Sequence, residues 1–424
     1  MGCSTVPANQ QREEPIPNAF GKQKESERQL KVCVVSAGAQ RFGGLENYVR
    51  ELNRCLAKEN VEIHLFHPTH DRYEDSFKVG MGGGSVTNHP FFVRRGEQFS
   101  ALFVMRFCSE LKRLVRKEEF DLVHLHVSLA PYANWAAAVS KLQGVPTMCT
   151  LHIDMPWDQV LKEKRFVKAI YRKAMSLALL RATDMRTFVS DNVAKGYGKE
   201  GVVIGSGIDT GFFDPGKADG KKFKEELMLE GKKIVYYSSR MVPAKGQVDL
   251  VLVAEELKKK RDDFVILLCG PSGDRAYYEG LLKRIKESPA KDNLLVFEPT
   301  GIGRHSVRDA YAASDVYAFP TQREALGLVA LEAMAMEKPV VSYAVGALPM
   351  LLANGRGAAV PKDDVNAMAG AIDFYLSNPE KAFDAGRKGR EFVLREYSLE
   401  SLTKRCLTLY KQLLNRDQDD SHEG

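Results

Sequence analysis

Two carboxylates, Glu324 and Glu332, stand eight positions apart in TQREALGLVALEAMAMEKPVV (321–341), the first before a glycine-containing turn and the second inside a helical run. In YSSRMVPAKGQVDLV a strand ends at Arg240, and Lys245 sits where a helix starts. An arginine and a lysine five apart across a strand–turn–helix can converge on one diphosphate, the guanidinium by its planar fork and the ammonium as a point charge. A solvated turn is the alternative. The amides of Ala325, Leu326 and Gly327 point the same way as Glu324, and a carboxylate on the following helix can accept hydrogen bonds from a vicinal diol such as a ribose. Alone, the acid pair reads as a solvated face; together with Arg240 and Lys245 it reads as a nucleotide site.

Glycines mark further candidate contacts. RFGGLENYVREL places Gly43 and Gly44 after the first strand and at a helix start, where backbone amides and the helix dipole could meet an anion or a sugar. A tight strand–helix turn accounts for them equally well. In LLCGPSGDR, Gly270 and Gly273 would let the backbone approach a ligand beyond a strand end. The cluster GMGGGS (80–85) follows no clear strand and opens no clear helix, so a flexible loop is expected there rather than a dinucleotide site.

The elements that must position these residues come in two series. LKVCVVSAG (30–38), VEIHLFHP (61–68), DLVHLHV (121–127), VPTMCTLH (145–152) and DMRTFVS (184–190) read as buried strands, with amphipathic helical stretches at 45–60 and 101–119 between them. The rhythm restarts with KKIVYYSSR (232–240), FVILLCG (264–270), NLLVFEPT (293–300), DVYAFPT (315–321) and KPVVSYAV (338–345). Strand–helix alternation gives parallel sheets covered on both faces. Two series imply two Rossmann-like domains: 30–205, then 206–397 after a junction at GSGIDTGFFDPGK (205–217). Ligands in such sheets bind beyond the carboxyl ends of the strands, so a cleft between two facing domains is the expected site. A long helix follows over 398–416, flanked by disordered tails at 1–29 and 417–424.

Composition narrows the class. With 44% hydrophobic and 27% charged residues, the 424-residue chain is that of a soluble globular protein. No apolar run approaches the ~18 residues that span a bilayer, and no signal peptide opens the chain. The seven cysteines are scattered without a C-x-x-C pair, which favours buried thiols in a reducing cytoplasm over disulfides or zinc. The opening MGCS offers Gly2 and Cys3 to acylation, but Val6 stands where Ser or Thr is usual, and a frayed tail is the simpler reading. Residues 1–200 hold 29 Lys and Arg against 22 Asp and Glu, whereas the remainder is close to neutral. A basic first half suggests an anionic partner or surface; aromatics are not interleaved with the basic clusters as nucleic-acid binding would require.

The sequence resembles glycosyltransferase family 4, the retaining enzymes of the two-domain GT-B fold, from about residue 30 to 416. SSRMVPAKG is similar to that family's Arg-plus-Lys motif, and Glu324 and Glu332 match both ends of its E-x7-E motif. The resemblance implies that Arg240 and Lys245 bind the donor diphosphate and that Glu324 acts at the transferred sugar. The same sugar would meet the amides of Ala325, Leu326, Gly327 and Leu328, while Glu332 holds the ribose. TLHIDMP puts His152 where the family has a histidine facing the donor sugar, HLHVSLAP matches the strand end before it, and Gly43 and Gly44 match the N-terminal glycine loop. The final helix is implied to cross back to the first domain. Base contacts would be largely backbone, near FEPTG (297–301).

The expected activity is transfer of a sugar from a UDP- or GDP-linked donor to an acceptor hydroxyl with retained configuration, in cell-envelope glycan, lipopolysaccharide or glycolipid synthesis. No apolar stretch leads into Asp-x-Asp at a strand end, so no metal and no cofactor are expected, and Arg240, Lys245 and backbone dipoles meet the leaving-group charge. Without an obvious nucleophile in the first half, a same-face substitution is preferred, the departing phosphate taking the acceptor proton. Three positions depart from the family pattern: Ser206 replaces an asparagine, and Ala347 and Met350 replace a glycine and an acid in VGALPMLLANG. The changes at Ala347 and Met350 keep a non-catalytic nucleotide-sugar-binding subunit open, and a hydrolase or epimerase in the same cleft is the other alternative. Finally, VLKEKRFVKAIYRKAMSLALLR (160–181) carries Lys162, Lys164, Arg165, Lys168, Arg172, Lys173 and Arg181 against Glu163. It reads as a domain helix with a solvated basic side, or as a contact with an anionic membrane at the cytoplasmic face of the inner membrane, which would suit a lipid-linked acceptor.

Overall fold

The computed structural model describes residues 28–36, 44–70, 76–94, 100–127, 132–152, 166–198, 200–297 and 304–422. The expectations that fall on Gly2, Cys3, Gly43, the 160–165 stretch and most of 297–301 lie outside the described residues or their described side chains.

The first series builds an eight-stranded sheet. Its strands are β1 (Leu30–Val35), β2 (Val61–Thr69), β3 (Phe77–Met81), β4 (Gly84–Phe92), β5 (Leu122–Val127), β6 (Thr147–Leu151), β7 (Met185–Phe188) and β8 (Val202–Val203), in the spatial order β3-β4-β2-β1-β5-β6-β7-β8. All neighbours pair parallel except β3 with β4. Helices α1 (Gly44–Lys58), α2 (Ala101–Glu118), α3 (Tyr132–Leu142), α4 (Phe166–Ala182) and α5 (Asp191–Tyr197) alternate with the strands. Local chemistry sets these helices. The Ser100 hydroxyl caps α2 by accepting from the Phe103 amide, and Phe103, Phe107, Leu111 and Val115 repeat every four residues to bury one face.

The stretch 80–85 is a β-hairpin, not the loop expected from its glycines. Met81 pairs with Gly84 across a Gly82–Gly83 turn, and Gly82 has φ +58°. A Cβ on Gly84 would lie 2.2 Å from the Val61 carbonyl oxygen, so the glycines serve close packing of the hairpin on β2.

The second series gives six parallel strands, β9 (Lys233–Ser238), β10 (Phe264–Cys269), β11 (Leu294–Phe297), β12 (Val316–Phe319), β13 (Val340–Tyr343) and β14 (Gly357–Val360), ordered β11-β10-β9-β12-β13-β14. Numbered within the domain this is 3-2-1-4-5-6, the doubly wound order with its switch point between the first and fourth strands. Continuous apolar runs form these strands because helices cover both faces; every side chain of β10 is buried. The helices here are α6 (Gly220–Glu226), α7 (Gln247–Lys258), α8 (Arg275–Glu287), α9 (Arg304–Ala313), α10 (Leu328–Ala335), α11 (Leu348–Leu352), α12 (Val365–Ser377), α13 (Pro379–Glu396) and α14 (Leu399–His422).

The last helix returns to the first domain, as the resemblance implies. Leu399, Leu402, Cys406, Leu409, Tyr410 and Leu413 of α14 share a core with Val32, Val34, Tyr48 and Leu52. Its start is tied to the junction between domains, where the Ile208 amide donates to Tyr397 O at 2.7 Å and the Leu399 amide donates to Ile208 O at 3.0 Å. The helix runs to His422, six residues past the boundary expected at 416. No helix among the described residues is long and apolar enough to cross a membrane.

Candidate active site

Arg240 and Lys245 follow β9, and Glu324 follows β12, the two strands that flank the switch point of the second sheet. Three backbone devices fix their loops against each other. Gly246 caps the 3-10 turn Pro243–Lys245 with φ +74°, and a Cβ there would meet Pro320 O at 2.0 Å. The Gln322 amide donates to Ala244 O at 3.0 Å. Gly346, with φ +59°, approaches so closely that a Cβ would fall 1.7 Å from Glu324 O.

The result is a direct ion pair. Lys245 Nζ donates to Glu324 Oε2 at 2.8 Å, with both side chains about four-fifths buried, and the ammonium also sits 5.2 Å from the centre of the Phe319 ring. The other carboxylate oxygen, Oε1, accepts from the Ala325 amide at 3.2 Å. Glu324 is therefore held and oriented from two sides. Arg240 is exposed, and its backbone carbonyl is anchored by Gln247 Nε2 at 2.8 Å. Gln247 is wholly buried and also takes the hydroxyls of Tyr237 and Tyr277 as partners.

From Glu324 the chain turns through Gly327, φ +101°, into α10. The first intrahelical bonds run from Ala330 and Leu331 to Gly327 O, so the Leu328 amide stands at the positive end of the helix ahead of them. One turn further, Glu332 Oε2 accepts the Tyr311 hydroxyl at 3.1 Å. Tyr311 is fully buried, and burial with the nearby Tyr317 and Glu332 raises its pKa well above the usual phenol value, so it stays a donor.

These residues face the first domain across a cleft of about 1010 Å3. Arg240, Glu324, Ala325, Leu326, Gly327 and Leu328 line one wall; Leu45, Tyr48, His152, Asn192 and Lys195 line the other. The Ser190 hydroxyl bridges the two by donating to Ala325 O at 2.9 Å. His152 follows β6. Its amide donates to Val127 O at 3.1 Å, its Nε2 lies 3.2 Å from His126 Nδ1, and the Tyr48 ring meets it edge-on at 4.8 Å. Burial holds the imidazole neutral, pushing its pKa down to about 3. His126 is pushed well below its ordinary value by burial and by His124 and His152.

The expected residues separate accordingly. Arg240, His152, Glu324 and the 325–328 segment meet in one cleft, with Lys245 behind Glu324 and Glu332 on the helix that starts there. Gly44 opens α1, whose next turn brings Leu45 and Tyr48 to the cleft. Gly270 has φ +153°, and what it approaches is the protein itself: a Cβ would lie 1.8 Å from Ser239 O. It thereby seats the β9 loop that carries Arg240. Ser206 is buried at the cleft wall; Ala347 is buried beside Gly346 at the head of α11, and Met350 is exposed on that helix. Tyr48, His126, Gln247 and Tyr311 carried no signal as site residues. Only the HLHV string around His126 hinted at its place. Among the described residues, no group of three or more His, Cys, Asp or Glu side chains is arranged to hold a metal.

The chain is similar to known proteins along most of its length. Residues 42–212 match the family model described as Glycosyltransferase Family 4, and residues 219–392 match that of Glycosyl transferases group 1. A D-inositol 3-phosphate glycosyltransferase of Segniliparus rotundus is 26% identical over 388 residues, spanning 88% of this chain and 85% of its own. A GDP-mannose-dependent alpha-(1-6)-phosphatidylinositol monomannoside mannosyltransferase of Mycolicibacterium smegmatis is 25% identical, spanning 84% and 91%. The Anabaena protein HepE, solved in complex with UDP-glucose, superposes with a TM-score of 0.70 at 16% identity over 90% of this chain and all of its own. With one family model on each domain and relatives along nearly its whole length, the chain belongs to glycosyltransferase family 4 and is a glycosyltransferase of GT-B fold.

Proposed function

We propose that this enzyme moves a sugar from a UDP- or GDP-linked donor to an acceptor hydroxyl with retention of anomeric configuration. The observation that carries the reading is the Lys245–Glu324 pair at the switch point, with Arg240 on the adjoining strand end and the head of α10 beside it. In this reading Arg240 and Lys245 take the donor diphosphate. As the bond to the anomeric carbon breaks, charge grows on the leaving phosphate, and fixed cations and amides stabilise it without reorganising. Glu324, oriented by Lys245 and the Ala325 amide, accepts from hydroxyls of the transferred sugar, and Glu332 holds the ribose. His152, neutral, meets the sugar from the opposite wall. The departing phosphate takes the acceptor proton on the same face. Neither a metal nor a cofactor takes part.

The acceptor enters from the first domain. A relative whose printed name specifies a phosphatidylinositol monomannoside supports an acceptor of glycolipid type, and with it a place in cell-envelope synthesis at the cytoplasmic face of the membrane. The basic surplus of residues 1–200 and the exposed Ile170 and Tyr171 on α4 support contact with an anionic leaflet.

The test is a screen of UDP-, GDP- and ADP-sugars for thermal stabilisation, followed by turnover with and without acceptor lipids, each with and without EDTA. A stabilising donor consumed to a glycosylated product, unaffected by EDTA, supports the reading. Loss of activity in EDTA with recovery in Mg2+ or Mn2+ would overturn the metal-free step, and consumption without acceptor would point to hydrolysis.

A further inference from the structure

His152 is not held alone. Behind it, His126 of β5 is buried, and further in His124 bonds Tyr410 of α14 at 2.8 Å and Thr150 at 2.7 Å. The His124 and His126 ring centres are 4.0 Å apart. His126 offers Nδ1 to His152 Nε2 at 3.2 Å, and no partner among the described residues reaches His126 Nε2, which is buried. Two neutral imidazoles sharing one hydrogen bond have two arrangements. If His152 donated from Nε2, His126 would carry its proton on Nε2, a buried N–H without an acceptor. If His126 donates from Nδ1, the orphan is only a lone pair. The backbone shows the same asymmetry: orphaned buried N–H groups are rarer in folded proteins than under-satisfied acceptors.

We propose that His126 is a positioning residue that fixes His152 as the tautomer protonated on Nδ1, so that His152 offers the cleft a hydrogen-bond donor. The backbone of His152 is fixed by Val127 O, its Nε2 by His126, and its face by the edge of Tyr48, which leaves Nδ1 as the ring nitrogen for a ligand. An N–H there can bind a sugar hydroxyl oxygen; it cannot remove the proton of an acceptor. The assignment rests on the reading above that His152 meets the donor sugar, and it makes that contact a hydrogen bond donated by His152.

The test combines imidazole 15N spectra of the full-length protein with steady-state kinetics on the parent and two variants. The parent is expected to show His152 protonated on Nδ1 with a bare Nε2. His126→Phe keeps the volume but removes the donor; the His152 tautomer should then no longer be fixed, so that its two ring-nitrogen signals move towards each other, and kcat should fall about tenfold with little change in KM, as displacement of a contacting group does. His126→Asn, whose amide can reach the place of Nδ1, should restore both. An Nε2–H signal for His152 in the parent overturns the proposal, as does an unchanged spectrum in His126→Phe or an Asn variant as impaired as Phe. Melting temperatures identify a variant that fails to fold, in which case the parent spectrum and the Asn variant decide. The spectra need no substrate, so a protein that turns over no nucleotide sugar would sink the functional reading while the tautomer is still read.

Discussion

Tyr311 donates its hydroxyl to Glu332 across 3.1 Å, from a phenol that is completely buried in the second domain. The carboxylate assigned to the ribose is thus aimed before any ligand arrives. Glu332→Ala should weaken nucleotide-sugar binding by about 1.5–3 kcal/mol, the worth of a hydrogen bond to a charged group. Sugar phosphates lacking the nucleoside should bind variant and parent alike. Tyr311→Phe, which removes the aim but keeps the charge, should cost less. Calorimetric titration of the three proteins measures this, and unchanged nucleotide affinity in Glu332→Ala would remove the ribose assignment.

Gly346 presses on the backbone of Glu324. Any side chain there must enter a left-handed conformation and overlap a carbonyl oxygen. Gly346→Ala should lower the melting temperature and donor affinity together, with a conformational cost of roughly 1–2 kcal/mol before the overlap is relieved. Gly231, also at positive φ but with open space around its Cβ position, is the control and should cost less. Equal effects at the two positions would show that the approach to Glu324 does not matter.

Histidines partly or wholly withdrawn from water make stability depend on acid. His124 and His152 have folded pKa values near 3, and His89 is lowered to about 4 by burial and His64. An unfolded histidine titrates near 6.5. The folded state binds fewer protons between those limits, so stability is complete above about pH 6.5 and falls as the pH drops towards 4, by up to about 1.4 kcal/mol per pH unit for each such group. Melting temperatures from pH 7.5 to 4.5 should decline over this window, with a shallower slope in His124→Gln. A flat profile, or an unaltered slope in the variant, would contradict the burial of neutral imidazoles.

Membrane contact is tested by sedimentation with vesicles. Anionic vesicles should pull the protein down at low salt, neutral ones should not, and Lys164→Glu with Lys168→Glu should weaken the binding, as should added salt. If the protein stays in the supernatant with both, a soluble acceptor becomes preferable.

Much of this architecture was legible in the sequence because parallel strands buried on both faces leave continuous apolar runs such as FVILLC and VYAF. The E-x7-E pair and the Arg240–Lys245 pair were legible for a related reason: each spans one strand–turn–helix, where sequence spacing fixes spatial spacing. Other elements left weaker traces. The strands at 77–81 and 84–92 form an edge hairpin whose outer strand is exposed and whose glycines read as a loop, and β14 is the small-residue run GAAV. Tyr48, His126 and His152 come from three separate elements, so their convergence leaves no period to read. Gln247 and Tyr311 act through buried hydrogen bonds to groups far away in sequence, and nothing in their neighbours announces it.

In the proposed transfer, fixed positive charge beside an oriented carboxylate carries the sugar across with retention. The most direct measurement is product configuration and kcat for the parent and Arg240→Ala with the stabilising donor. An α-linked donor should give an α-linked product, and Arg240→Ala should lower kcat on the order of 100-fold, as loss of a charge-stabilising group at the leaving oxygen does. A β-linked product, or a kcat unmoved by removing Arg240, would contradict it.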